Sequence, residues 1–207
     1  MSKINYKLNL MCINLQTSIL AFIIGETCGL LLATQNNEKR AIGIFIMFYS
    51  FIQLCEAFIY YYGNDNSTIS SRLLLIGLGL QGIVFLSLTK DFINIDPIYY
   101  WICGLAAIFI IYKATTNNFT PATIDKCIKW KFMDNEIISV LTIMYFTIIL
   151  FTQITKNKII NISGKYFIIT LFLSLILASY TKGSSPSMWC LASAITSPFL
   201  LVALNQE

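Results

Sequence analysis

The chain of 207 residues contains no histidine, and this absence excludes several kinds of chemistry. Histidine is the side chain that exchanges protons near neutral pH, and it is the commonest metal ligand. Imidazole acid–base catalysis, histidine-activated nucleophiles and histidine-bound metals are therefore excluded. The six cysteines form no CxxC pair, the spacing typical of zinc sites, and five of them fall within apolar runs. We expect buried thiols, with no metal and no cofactor.

Charge is also scarce, since only 12% of the residues are charged and 57% are hydrophobic. A soluble domain has about a quarter of its residues charged, which this chain would need to cover a surface that faces water. The net charge of +4 is spread over the connectors, whereas nucleic-acid binding requires a clustered basic face. The composition predicts one membrane domain, residues 1–207, whose main partner is the lipid bilayer and not nucleic acid.

Apolar runs near the length of a bilayer crossing recur along the chain. They predict an all-α, multi-pass membrane protein with seven transmembrane helices in one bundle. The predicted spans are about 10–34, 41–62, 72–89, 97–112, 136–153, 166–180 and 186–204. The first run is too long for a signal-peptide core. Seven spans place the termini on opposite sides, and the N-terminal side carries about 8 Lys and Arg residues against about 6, which predicts a cytoplasmic N-terminus.

Two interpretations are open for the longest connector, residues 113–135. Thr120 and Pro121 suit the start of a short basic helix that lies on the membrane surface. A solvated linker explains the same composition. The shorter polar segments at 63–71 and 155–165 are predicted to be connectors between spans.

A polar stripe interrupts the second span. Tyr49, Gln53, Glu56 and Tyr60 recur at a spacing of four, three and four residues, which places them on one helix face. A carboxyl group in hydrocarbon is costly, so it faces the protein interior or a wet cavity and marks a functional hypothesis. Since the predicted spans hold no internal Lys or Arg, we expect Glu56 to be neutral unless water reaches it.

Counting depth at about 1.5 Å per residue groups further polar residues with this stripe. Gln16, Gln53, Glu56 and Gln81 form the candidate cluster, and Glu26 lies about 10 Å away at another level. A small-residue stripe on the seventh span adds a possible wall, next to Pro198, which should free one backbone carbonyl. The candidate binding residues are Glu56, Gln53, Gln16, Gln81, Glu26, Tyr49, Ser187, Cys190 and Ser197. The simpler interpretation is that the glutamines join helices and that the small stripe is a packing face.

Two short motifs carry a resemblance to a known group of proteins. They are Gln53-x-x-Glu56 in the second span and Ser187-Met188-Trp189-Cys190 at the start of the seventh. With the chain length, they resemble uncharacterised seven-helix membrane proteins of giant viruses and protists. The abundance of Ile, Asn and Lys fits an AT-rich source of that kind. The resemblance implies a host or virion membrane and no particular activity.

Three functions follow from these patterns. The leading hypothesis is a buried polar cavity that binds or conducts a small solute, an ion or a proton, as in a transporter or channel, with Glu56 as its centre. The alternative is a structural or interaction protein whose polar groups only fix helix packing. The third is an intramembrane enzyme acting on lipid, with Ser187, Ser193 or Cys190 as nucleophile, and the absence of histidine weighs against it. Whether water reaches Glu56 separates the first two.

Overall fold

Seven helices and one small hairpin make up the described part of the chain. The computed structural model describes residues 14–63, 67–117, 119–125, 127–129, 131–181 and 185–206. The helices are α1 (Leu15–Ala33), α2 (Asn37–Tyr62), α3 (Ser67–Thr89), α4 (Pro97–Thr115), α5 (Asn135–Ile154), α6 (Lys158–Thr181) and α7 (Ser185–Asn205), and the strands are β1 (Thr123–Asp125) and β2 (Cys127–Lys129). The expected helical class is therefore correct apart from the hairpin.

Helices α1 to α5 are long and apolar enough to cross a membrane, judged by length and composition. This fits an integral, multi-pass membrane protein. The described residues of α6 and α7 do not meet the same criterion, so the sixth and seventh spans, and with them the seven-span bundle, stay predictions.

Asparagine and aspartate side chains begin α1, α2, α4 and α5, and Asn157 does the same for α6. Asn14, Asn36, Asp96 and Asp134 each accept a hydrogen bond from a backbone N–H in the first turn. Each such cap stabilises its helix by about 1 kcal/mol. Together with Pro97 at the start of α4, these caps explain why several helices begin close to their predicted positions.

Two predicted connectors were too long. The helix α6 begins at Lys158, where residues up to 165 were expected to be a connector. The Asn157 side chain accepts from the Ile160 N–H, and Asn161 donates to the carbonyls of Thr152 and Gln153. These polar residues therefore build the start of a helix and its contact with α5. The helix α3 likewise begins at Ser67, inside the segment expected to be a turn.

The connector between α4 and α5 forms neither of the structures predicted for it. Its strands pair antiparallel, with Ile124 opposite Ile128. The segment before β1 is held on α3, because Ser67 Oγ donates to the Ala122 carbonyl at 2.9 Å and the Ala122 N–H donates to Ser71 Oγ at 3.0 Å. Ala122 is buried as a result. Two serines one helical turn apart thus satisfy both backbone groups of one residue.

Helix α2 lies at the centre of the bundle and contacts α1, α3, α6 and α7. In its most apolar stretch 67% of the residues are buried, against 28% for α4. Glycines allow α1 to approach α2 closely. A Cβ atom on Gly43 would lie 2.4 Å from the Gly29 carbonyl oxygen, and one on Gly25 would lie 1.8 Å from Ser50 Oγ. The Gly25-x-x-x-Gly29 pattern is the spacing that permits such backbone contact in membranes.

Candidate functional site

The buried pair, Gln53 and Glu56, lies on the inner face of α2. Gln53 Nε2 donates to Glu56 Oε2 at 3.0 Å across one helical turn. Both side chains have 0% exposed surface. A group with no accessible surface touches no space that could hold a water molecule. Water therefore has no access to the surface of the carboxyl in this conformation.

Tyr49 extends the stripe one turn toward the start of α2. It is buried and packs against the rings of Phe45 and Phe167, with ring centroids 6.3 and 6.2 Å away. A cavity of about 20 Å³ lies beside these three rings, and Tyr145 also lines it. A volume of this size holds one water at most, and its lining is almost entirely apolar. Tyr60, the last residue of the stripe, is half-buried.

Gln81 is buried but belongs to another contact. Its Oε1 accepts a hydrogen bond from the hydroxyl of Tyr145 on α5. The register of α2 against α3 follows from Phe45, whose ring centroid lies 5.0 Å from that of Phe85. At about 1.5 Å per residue, Gln81 then lies roughly 11 Å from Glu56 along the helix axis. The structure thus joins Gln81 to α5, and by the same register it lies about 6 Å from Gln53 along the axis.

The two polar residues of α1 lie away from the buried pair. Gln16 is exposed, so its side chain is on the outer surface of the helix. Glu26 is half-buried and follows Gly25, whose contact with Ser50 places it near the level of Tyr49. Gln16 was assigned to the candidate cluster by its depth along the helix axis. Depth does not say which way a side chain points, and the side chain of Gln16 points outward.

Ser197 of α7 has a backbone partner. Pro198 has no N–H, so it cannot donate to the carbonyl of Ala194 four residues earlier. Ser197 Oγ donates to that carbonyl at 2.7 Å. The carbonyl that the sequence predicted to be free is thereby satisfied within the helix. The backbone of Ser187 and Cys190 belongs to α7, but their side chains, and the motif that they bound, lie outside the described part of the structure.

A hydroxyl network between α6 and α7 was not predicted as a site. The Tyr166 hydroxyl donates to the Ser193 carbonyl and lies 3.1 Å from Thr196 Oγ1. Ser193 Oγ donates to Thr170 Oγ1 at 3.1 Å. The signal in the sequence was the set of hydroxyl side chains on both helices, but only the pairing of α6 with α7 identifies partners. The partner of Ser193 is a threonine, which is not a base, so the bond does not activate Ser193 as a nucleophile.

Several buried polar atoms make no hydrogen bond within the described part of the chain. They include Gln53 Oε1, Gln81 Nε2, Ser18 Oγ, Ser50 Oγ and Arg72 Nε. A buried polar atom without a partner costs about 1–3 kcal/mol. Among the same described residues, no group of three Cys, Asp or Glu side chains could hold a metal ion.

The fold and the buried pair together define an α-helical bundle that fits a multi-pass membrane protein, with its polar groups turned inward and apolar side chains outward. The chain matches no protein-family model, no curated protein and no solved structure.

Proposed function

We propose that the protein is a structural or interaction component of its membrane, in which the buried pair fixes the packing of α2. The observation that supports this is the absence of any accessible surface on Gln53 and Glu56, which are bonded to each other. A conduction path requires water or solute to reach the carboxyl, and a purely structural pair does not.

The energetics agree with this role. Hydrogen bonds between side chains in membrane proteins contribute about 0.6 kcal/mol on average, and up to about 1.7 kcal/mol. Such a contribution sets packing and register without dominating stability.

The test compares two substitutions in the buried pair. Glu56→Gln keeps the shape of the side chain and an acceptor oxygen for Gln53. We therefore expect the free energy of unfolding in detergent to change by less than about 0.5 kcal/mol. Gln53→Leu leaves the buried Glu56 without its amide donor and should destabilise by about 1–2 kcal/mol. If both variants lost the same large amount of stability, the carboxyl group of Glu56 itself would be required for folding. That result would contradict the proposal.

A second candidate function is passage or binding of a proton or small solute. The observation that favours it is the pair of unsatisfied amide atoms, Gln53 Oε1 and Gln81 Nε2. They could accept from and donate to a small polar guest in a more open conformation. Here Glu56→Gln should abolish a proton flux measured with a pH-sensitive dye in proteoliposomes, while Gln16→Leu, on the outer surface of α1, should not. Wild-type vesicles no more permeable than empty ones would contradict this candidate.

A further inference from the structure

A pocket of about 550 Å³ lies at the end of the bundle where α4 begins and α5 ends. It is formed by the connectors before α4 and after α5 together with the adjoining helix turns. Its size is within the range of small-molecule sites. The lining residues are Phe92, Ile93, Asn94, Asp96, Ile98, Tyr99, Phe151, Ile154, Thr155, Lys156 and Asn157.

One side of this end pocket is continuous with the apolar outer surface. Ile98 and Ile154 are 52% and 65% exposed, and they stand on two helices long and apolar enough to cross a bilayer. The rings of Tyr99 and Phe151 lie against each other, with centroids 5.3 Å apart, and join the two helices here. Since aromatic and charged residues mark the ends of spans, the pocket lies where headgroups would meet the protein.

The other side of the end pocket carries one cation and one anion. Lys156 and Asp96 are both exposed and both line it. Asn94, in the connector before α4, is exposed and lines it as well. One oxygen of Asp96 accepts from the Ile98 N–H, which leaves the second oxygen to bind a ligand. Asn157 is already used, because it donates to Glu38 at 3.0 Å. Lys156 and Asn94 make no side-chain hydrogen bond within the described ranges.

We propose that this end pocket binds a phospholipid with an ethanolamine headgroup. Lys156 would bind the phosphate, and Asp96 with Asn94 would accept hydrogen bonds from the ammonium group. The acyl chains would then continue over Ile98 and Ile154. A purely anionic headgroup would meet the Asp96 carboxylate, and a choline headgroup has no N–H to donate. The site is separate from the buried pair and does not depend on the function proposed for it.

Native mass spectrometry of the full chain in detergent tests the proposal with three lipids of equal chain length. We expect the phosphatidylethanolamine to bind more tightly than the phosphatidylcholine or the phosphatidylglycerol. Lys156→Gln should weaken binding of the phosphatidylethanolamine about tenfold, as expected for loss of one charge-assisted contact. Lys165→Gln, which changes an exposed lysine of α6 outside the end pocket, is the matched control and should bind like the wild type.

Asp96→Asn keeps an oxygen for the cap of α4 and removes the charge. It should bring binding of the phosphatidylglycerol up to that of the phosphatidylethanolamine, and unchanged thermal unfolding would show that the fold is intact. Equal binding of all three lipids to the wild type, or equal effects of Lys156→Gln and Lys165→Gln, would overturn the proposal. Free phosphoethanolamine that binds as tightly as the lipid would show that the occupant is a soluble phosphoester and not a lipid.

Discussion

Helices α2 and α4 are both apolar and both long enough to cross a bilayer, yet they are built for different surroundings. About two thirds of the apolar stretch of α2 is buried, and its inner face carries a glutamine and a carboxyl. Most of α4 is not buried, and Trp101, Ile108 and Tyr112 are exposed on its outer face. In a lipid bilayer there would be little hydrophobic drive between helices, so close packing and hydrogen bonds would hold α2, whereas lipid itself would cover α4. Hydropathy alone does not distinguish these two roles.

The largest expected effect is on the glycine contact between α1 and α2. In Gly43→Ala the new Cβ would lie 2.4 Å from the Gly29 carbonyl oxygen and 2.6 Å from the Ala33 nitrogen, and both are backbone atoms. The helices must move apart, at a cost of about 3 kcal/mol. The measurement is unfolding by a denaturing detergent.

The matched control for Gly43 is Gly104 of α4. A Cβ there would meet only Ile83 Cδ1, at 3.8 Å, which is ordinary contact. Gly104→Ala should therefore be neutral or stabilise by up to about 1 kcal/mol, because alanine favours the helix. If the two variants lose the same stability, α1 and α2 are not in the close contact described, and the distinction between centre and periphery is wrong.

The next effect compares the two faces of α4 itself. Ile110 is fully buried and lies against Gly79 of α3, where a Cβ would be 2.6 Å from Ile110 Cγ2. Ile110→Ala should lower the free energy of unfolding by about 2 kcal/mol, because it leaves a cavity that the packed neighbouring helices cannot fill. Ile108→Ala, on the outer face at 67% exposed, should change stability by less than about 0.5 kcal/mol because lipid fills the gap. A comparable loss at Ile108 would place a protein surface, and not lipid, against this face.

The sequence predicted the helices better than it predicted their partners. Hydropathy located α1 to α5, and Asp96 with Pro97 fixed the start of α4 to the residue. The spacing of Gln53 and Glu56 predicted a shared face, and both side chains point inward. These are local properties of one helix, and local sequence is enough to specify them.

Contacts between helices distant in sequence were not predictable in the same way. Tyr145 lies 64 residues from Gln81, and nothing in the spacing of either residue indicates the other. The docking of Ala122 between Ser67 and Ser71 likewise depends on where a connector falls in space. The Gly25-x-x-x-Gly29 pattern was visible in the sequence, and it would have identified the close contact of α1 with α2.

The smallest effect tests the contact between α3 and α5. Tyr145→Phe removes the hydroxyl that donates to Gln81 Oε1 and leaves a buried amide oxygen without that donor. Because Gln81 Nε2 already has no partner among the described residues, the amide would keep neither bond, and we expect a loss of about 1 kcal/mol. In a double-mutant cycle with Gln81→Leu, the second substitution should remove most of that loss, since no polar atom remains to be satisfied. Additive losses would mean that the two side chains do not interact. The contact between the buried centre and the outer helices would then rest on packing alone.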